Sequence, residues 1–177
     1  MKRQTKKKKS EFRKGTPPYP QTLPRELRDR LIALGEEIHG LTAARRYDEA
    51  EKLCQSGLGL IPNPVDAYIE TTWYLSALGD IYFLQGKYPL ARENCEKALH
   101  ILKAAGASDP FILLRLGEIA LETGDEAAAL RYLLNAYKAE GWEIFDGQDR
   151  KYRDFLKNTL TSTKNDITMN DIERICL

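Results

Sequence analysis

Apolar side chains recur at helical intervals through the middle of the chain. Leu75, Leu78 and Tyr82 share one helical face, and Leu90, Cys95, Leu99 and Leu102 share another. Gly86 interrupts the pattern between them, where a residue free to take a left-handed turn lets the chain reverse. The pattern predicts two helices folded back on each other. Gly79 and Ala91 fall where they cross, and small side chains there allow axes about 8–10 Å apart.

The unit recurs. Adding 38 to Leu75, Gly79, Tyr82, Gly86, Tyr88, Ala91, Cys95 and Ala98 gives Leu113, Gly117, Ala120, Gly124, Glu126, Ala129, Leu133 and Ala136. Small residues meet small, apolar residues mostly meet apolar, and the turn glycine meets a glycine. Subtracting 41 gives Leu34, Ile38, Leu41, Arg45, Tyr47, Ala50, Cys54 and Gly57, a weaker copy in which Arg45 stands at the turn. Ala98 and Ala136 are placed to meet the following hairpin. Asn63-Pro64 and Asp109-Pro110 each set a capping side chain before a proline at the first helical position. The expected helices therefore include Pro64–Gln85 and Tyr88–Ala104. Asp125 caps the next helix and Gly141 closes it.

These residues resemble the tetratricopeptide repeat family. The matching strings are Leu78-Gly79-Asp80-Ile81-Tyr82, Gly86-Lys87-Tyr88, Ala91 and Ala98, then Leu116-Gly117-Glu118-Ile119-Ala120, Gly124-Asp125, Ala129 and Ala136. Pro62 fits the family's closing proline. The resemblance covers about residues 31–140, with spacings of 38 and 41 against a usual period of about 34. It implies an all-α solenoid of about three helical hairpins. Such a stack needs caps at its ends, and Glu140–Leu160 reads as the C-terminal one. There Tyr152, Phe155 and Leu156 share a helical face. The expected organisation is a disordered basic tail and proline-rich linker over 1–24, a repeat domain with its cap over 25–160, and a linker with a short terminal helix over 161–177, in which Thr161–Asn165 is linker and Asn170 caps the helix. The string from Gly141 to Leu156 is also similar to the tail of small bacterial proteins of this repeat type, some of which accompany secreted toxins as immunity proteins.

Charge is distributed unevenly. Residues 1–14 hold eight Lys/Arg and one acid, a net +7, so a total of +1 leaves −6 on the rest. Like charges followed by Thr16-Pro17-Pro18-Tyr19-Pro20 suit a disordered, extended segment. Residues 2–14 could contact nucleic acid or an acidic surface, or serve only as a solvated tail. No apolar run approaches the roughly 20 residues that cross a bilayer, and no apolar stretch of about 7–15 residues follows the basic start. A cytoplasmic protein without membrane contact is the expectation. Cys54, Cys95 and Cys176 are odd in number and widely spaced, unlike a disulfide framework or a zinc site.

Catalytic signatures are sparse. No glycine-rich loop precedes a lysine, and neither His39 nor His100 has a second histidine at metal-ligand spacing. Cys54 and Cys95 share the repeat position that holds Leu133, which suits packing better than nucleophilic work. No enzyme, cofactor or metal is expected. In proteins of the resembling family the first helix of each hairpin lines a concave surface. That places Ile32, Gly35, His39 and Thr42 on it, then Trp73, Ser76, Asp80 and Phe83, then Phe111, Leu114, Glu118 and Glu122. Of these, Trp73, Ser76, Asp80, Phe83, Leu114, Glu118 and Glu122 are the candidate partner-binding residues. Aromatic anchors with a few charges suit a protein interface, and solvated acids would pair with Lys or Arg of a basic partner. The function expected is a non-enzymatic module that grips another protein, with immunity to a basic, secreted toxin domain as its sharpest form. An RNA- or ribosome-associated adaptor using the basic tail is the alternative.

Overall fold

Each crossing of two helices is built on the small residues that mark the repeat. A computed structural model describes residues 20–166. Its helices are α1 (Arg25–Ala43), α2 (Tyr47–Leu60), α3 (Thr71–Leu84), α4 (Tyr88–Ala104), α5 (Pro110–Glu122), α6 (Glu126–Glu140) and α7 (Arg150–Asp166). Three hairpins, α1/α2, α3/α4 and α5/α6, stack in order, and α7 closes the end. The described residues contain no strand, only one isolated bridge between Gln21 and Tyr68. No helix among them is long and apolar enough to cross a membrane.

The repeat register holds to the residue. The first helices end at Ala43, Leu84 and Glu122, and the second begin at Tyr47, Tyr88 and Glu126, offset by 41 and then 38. The turns are equivalent too. Arg45, Gly86 and Gly124 all have positive φ, at 59°, 71° and 78°. The next amide reaches back in each case, from Arg46 to Leu41 O, Lys87 to Tyr82 O and Asp125 to Ala120 O, at 2.8–2.9 Å. Arg45 thus takes the glycine conformation without being glycine. At the crossings, a Cβ on Gly79 would collide with Cys95 Sγ, and one on Gly117 would come within 2.5 Å of Leu133. Ala50, Ala91 and Ala129 are fully buried, as are Cys54, Cys95 and Leu133.

Asp109 starts α5 as expected, accepting from the amides of Phe111 and Ile112. Asp125 accepts from Ala128 N, and Gly141 ends α6 with φ 72°. The second hairpin departs from the reading. Asn63-Pro64 does not open α3, which begins seven residues later at Thr71. Between them lie a short 3₁₀ turn, Val65–Ala67, and extended backbone at Tyr68. The backbone there is occupied by the segment before α1: Gln21 N donates to Ala67 O at 2.6 Å, and Ile69 N donates to Gln21 O at 2.9 Å. An amide so engaged cannot also enter a helical ladder. Thr71 anchors the delayed start, its hydroxyl donating to Val65 O at 2.5 Å.

Gln21–Leu23, read as linker, is therefore docked, and Leu23 is buried in the core. At the other end α7 continues through 161–165, expected as linker, to Asp166. The proposed tail contacts of 2–14 and the short helix capped by Asn170 lie outside the described residues. Two core clusters run along the stack. The larger joins α1 to α5, and the smaller seats Ile144, Phe145, Tyr152 and Leu156 against α6, so the aromatic cap closes the last hairpin.

Candidate functional site

The first helices of successive hairpins meet side by side, and their facing residues divide into two regions. The first lies between α1 and α3. Gly35 leaves room on α1 for the indole of Trp73, whose Cη2 would lie 3.0 Å from a Cβ there. Tyr74 meets that indole edge-on at 5.0 Å, and its hydroxyl donates to Leu31 O at 2.7 Å. A Cβ on Gly57 would overlap the Tyr74 ring, so this glycine admits Tyr74 beneath the wall. The result is a pocket of about 550 Å³ whose apolar walls come from Leu31, Ile32, Gly35, Trp73 and Tyr74. Arg28, Glu36, His39 and Glu70 stand at its mouth. A smaller recess of about 190 Å³ continues past Trp73, between His39 and Thr42 on one side and Ser76 and Asp80 on the other.

Trp73 is 44% exposed and Ile32 61%. With Phe111, 66% exposed, they form a series: Ile32, Trp73 and Phe111 hold one repeat position in three hairpins, each eleven residues before its helix ends. One exposed apolar side chain needs no explanation, but here three occupy equivalent places on the first helices, and two of them, Ile32 and Trp73, line the pocket.

The second region, between α3, α5 and α7, is polar and closed. Arg115 Nε donates to Asp80 at 2.7 Å, its Nη1 donates to Glu118 at 2.5 Å, and its guanidinium lies 4.2 Å from the Phe83 ring centre. Glu118 is fully buried. Burial pushes its carboxyl up to about 7 against the pull of Arg115, and Asp80 adds to the rise. Its Oε1 has no hydrogen-bond partner. Glu122 accepts from Lys151 Nζ at 2.5 Å and from the Tyr152 hydroxyl. Burial works against its charge, but these two donors hold it below the usual carboxylate range. The Tyr152 hydroxyl is raised by burial and by Glu122.

The sequence-based candidates fall on both sides of this division. Trp73 and Ser76 line the open region. Asp80 borders it but is engaged by Arg115, and Phe83 is half-buried beneath the same guanidinium. Leu114 is 3% exposed and packs in the second core cluster rather than on an open wall. Glu118 and Glu122 were expected as solvated acids; burial and internal donors occupy them instead. Gly35, placed on the wall, is a seat for Trp73. Sequence reasoning missed Arg115, although Glu118 follows it by three residues, a spacing that lets charges on one helix meet. It also missed the pocket wall of Leu31 and Tyr74, which carries no sequence signal.

Neither buried thiol is poised for chemistry: burial pushes both Cys54 and Cys95 up to about 12. Among the described residues no group of three or more His, Cys, Asp or Glu side chains could hold a metal ion.

Residues 68–139 match the family model of the tetratricopeptide repeat. The match takes in the second and third hairpins, which are similar to that repeat, and repeats of this kind generally mediate contact between proteins. No curated protein and no solved structure matches the chain.

Proposed function

We propose that this chain is a non-catalytic protein-binding module that takes an apolar side chain of its partner into the pocket between α1 and α3. The observation that carries the reading is the pocket itself, with Trp73 half-open on its wall. Its apolar walls favour burial by roughly 25 cal/mol per Å². A tryptophan already held by Gly35 and Tyr74 loses little freedom when covered, which is the property of an interface anchor.

Charge plays the smaller part. Asp80, Glu118 and Glu122 already have Arg115, Lys151 and Tyr152 as partners, so a partner's lysine would have to displace an internal cation. The −6 carried outside residues 1–14 can steer a basic partner from a distance. A toxin domain is one such partner, suggested by the similarity of residues 141–156 alone. In this geometry it would be gripped through an apolar side chain.

A displayed peptide library selected on the full chain tests the reading. Selected binders should shift Trp73 emission to the blue and lose affinity by about tenfold or more on Trp73→Ala, as anchors in interfaces do. Binders indifferent to that change, but sensitive to Glu122→Gln or Lys151→Ala, would transfer the site to the other half of the wall.

A further inference from the structure

The rim of the α1–α3 pocket is charged differently at its two ends. At one end Arg28 Nε stands 4.0 Å from Glu70, and Glu70 also accepts from Leu23 N at 3.0 Å. The segment before α1 is fastened alongside, with Gln21 bonded to Ala67 and Ile69. Cation, acid and backbone therefore answer one another at that end. Toward the other end stands Glu36, exposed and one turn of α1 beyond Ile32. Among the described residues it has no ion pair or hydrogen bond.

The groove also continues past that second end. The recess of about 190 Å³ shares His39 and Trp73 with the pocket and leads on to Thr42, Ser76 and Asp80. No lysine or arginine lines it. Asp80 is already held by Arg115 at 2.7 Å, which leaves Glu36 as the acid open to a visitor. The Thr42 hydroxyl donates to Ile38 O at 2.8 Å, so its oxygen faces the recess only as an acceptor. A segment lying in the groove thus passes from apolar walls to an acid and then to hydrogen-bond acceptors. Ile32 and Glu36 are about 6 Å apart along the helix. Two residues of an extended chain cover about 7 Å and point to one side, and four residues of a helix cover about 6 Å.

From this we infer that the partner presents an apolar side chain with a lysine or arginine about 6–7 Å further along, the first entering the pocket and the second pairing with Glu36. The inference rests on the reading of the pocket as the binding site, and adds which segments that site prefers. The alkyl stem of the base can lie along the exposed Trp73 while its head stays in water. Such a rim pair governs the choice of partner more than the strength of binding.

Sequencing the peptides selected on the full chain tests it. The parent should enrich Lys or Arg two residues from the apolar anchor in extended binders, or four in helical ones. Selection on Glu36→Lys should keep the anchor and lose the base, and Arg28→Ala should leave the enrichment in place. For one synthetic peptide from the parent selection, Glu36→Lys should weaken binding by about two- to fivefold. The loss should shrink at high salt, and a peptide with its base exchanged for glutamate should recover part of it on the variant. Equal base content in peptides from the parent and from Glu36→Lys overturns the inference. So does an excess of acids beside the anchor, which would assign recognition to Arg28. A dimer in sedimentation that Ile32→Ser dissolves also overturns it, by making the occupant a second copy of the chain. The first two failures leave the pocket reading standing, because that reading fails separately, on binders indifferent to Trp73→Ala.

Discussion

The two halves of the inner wall use the same helix positions for opposite ends. Between α1 and α3 the repeat position filled by Glu118 in α5 is His39 and then Asp80, and the position of Arg115 is Glu36 and then Ala77. His39 and Glu36 are exposed, and the pocket beside them stands open. Between α3 and α7 a buried acid has met an arginine, and the wall is shut. One backbone repeat has been sealed by ion pairs at one end and left apolar and accessible at the other. An acid at a groove position is therefore no sign of a free acid: its neighbours on adjoining helices decide.

The sharpest way to break this contrast is Arg115→Ala. It leaves Glu118 buried without its cation, and removing one member of a buried pair costs about 3–5 kcal/mol. Urea denaturation should show that loss, while Glu36→Ala in the open half should leave the midpoint unchanged. Equal effects of the two substitutions would erase the distinction.

Gly79→Leu comes next. It drives a side chain into Cys95 at the crossing of α3 and α4, and overpacking of this kind costs about 1–3 kcal/mol. Thermal melting should register it, and Gly40→Leu, with open space around it, provides the matched control.

Acidity sharpens the closed half further. Glu118 binds its proton more tightly in the folded chain, at about 7, than at its ordinary value of 4.5. The folded state then holds more protons than the unfolded one over that interval. Stability from this group is full below about pH 4.5 and declines as pH rises towards 7. Glu118→Gln should flatten that decline, read as the difference between the two chains in denaturation midpoint at each pH. Parallel curves would show that Glu118 does not titrate in this way.

The smallest effect belongs to the open half. Ile32→Ser changes an exposed residue and should alter stability by no more than about 0.5 kcal/mol. Its consequence should appear in binding to selected peptides. A large loss of stability would mean that Ile32 is covered and structural.

Much of the fold is legible in the chain because the repeat is written in side-chain size. Gly79 and Gly117, Ala91 and Ala129, Cys95 and Leu133 recur at one offset, and each is buried where its equivalent is. Asp109 and Asp125 cap helices as local chemistry requires. Asn63-Pro64 carries the same local signal as Asp109-Pro110, yet α3 starts at Thr71. The difference comes from Gln21, forty-six residues before Ala67, which claims the backbone of 67–69. Short-range patterns cannot register such a bond. Glu118 likewise reads as a surface acid until α3 brings Asp80 to share Arg115, and until α7 brings Lys151 and Tyr152 to Glu122.

The order and pairing of the helices follow from the sequence alone, because close crossings demand small residues and tight reversals demand left-handed backbone, both local properties. Which part of the inner wall is open was decided only in the tertiary structure. Burial and ion pairing join side chains from different helices, and their free energies exist only once those helices stand next to each other.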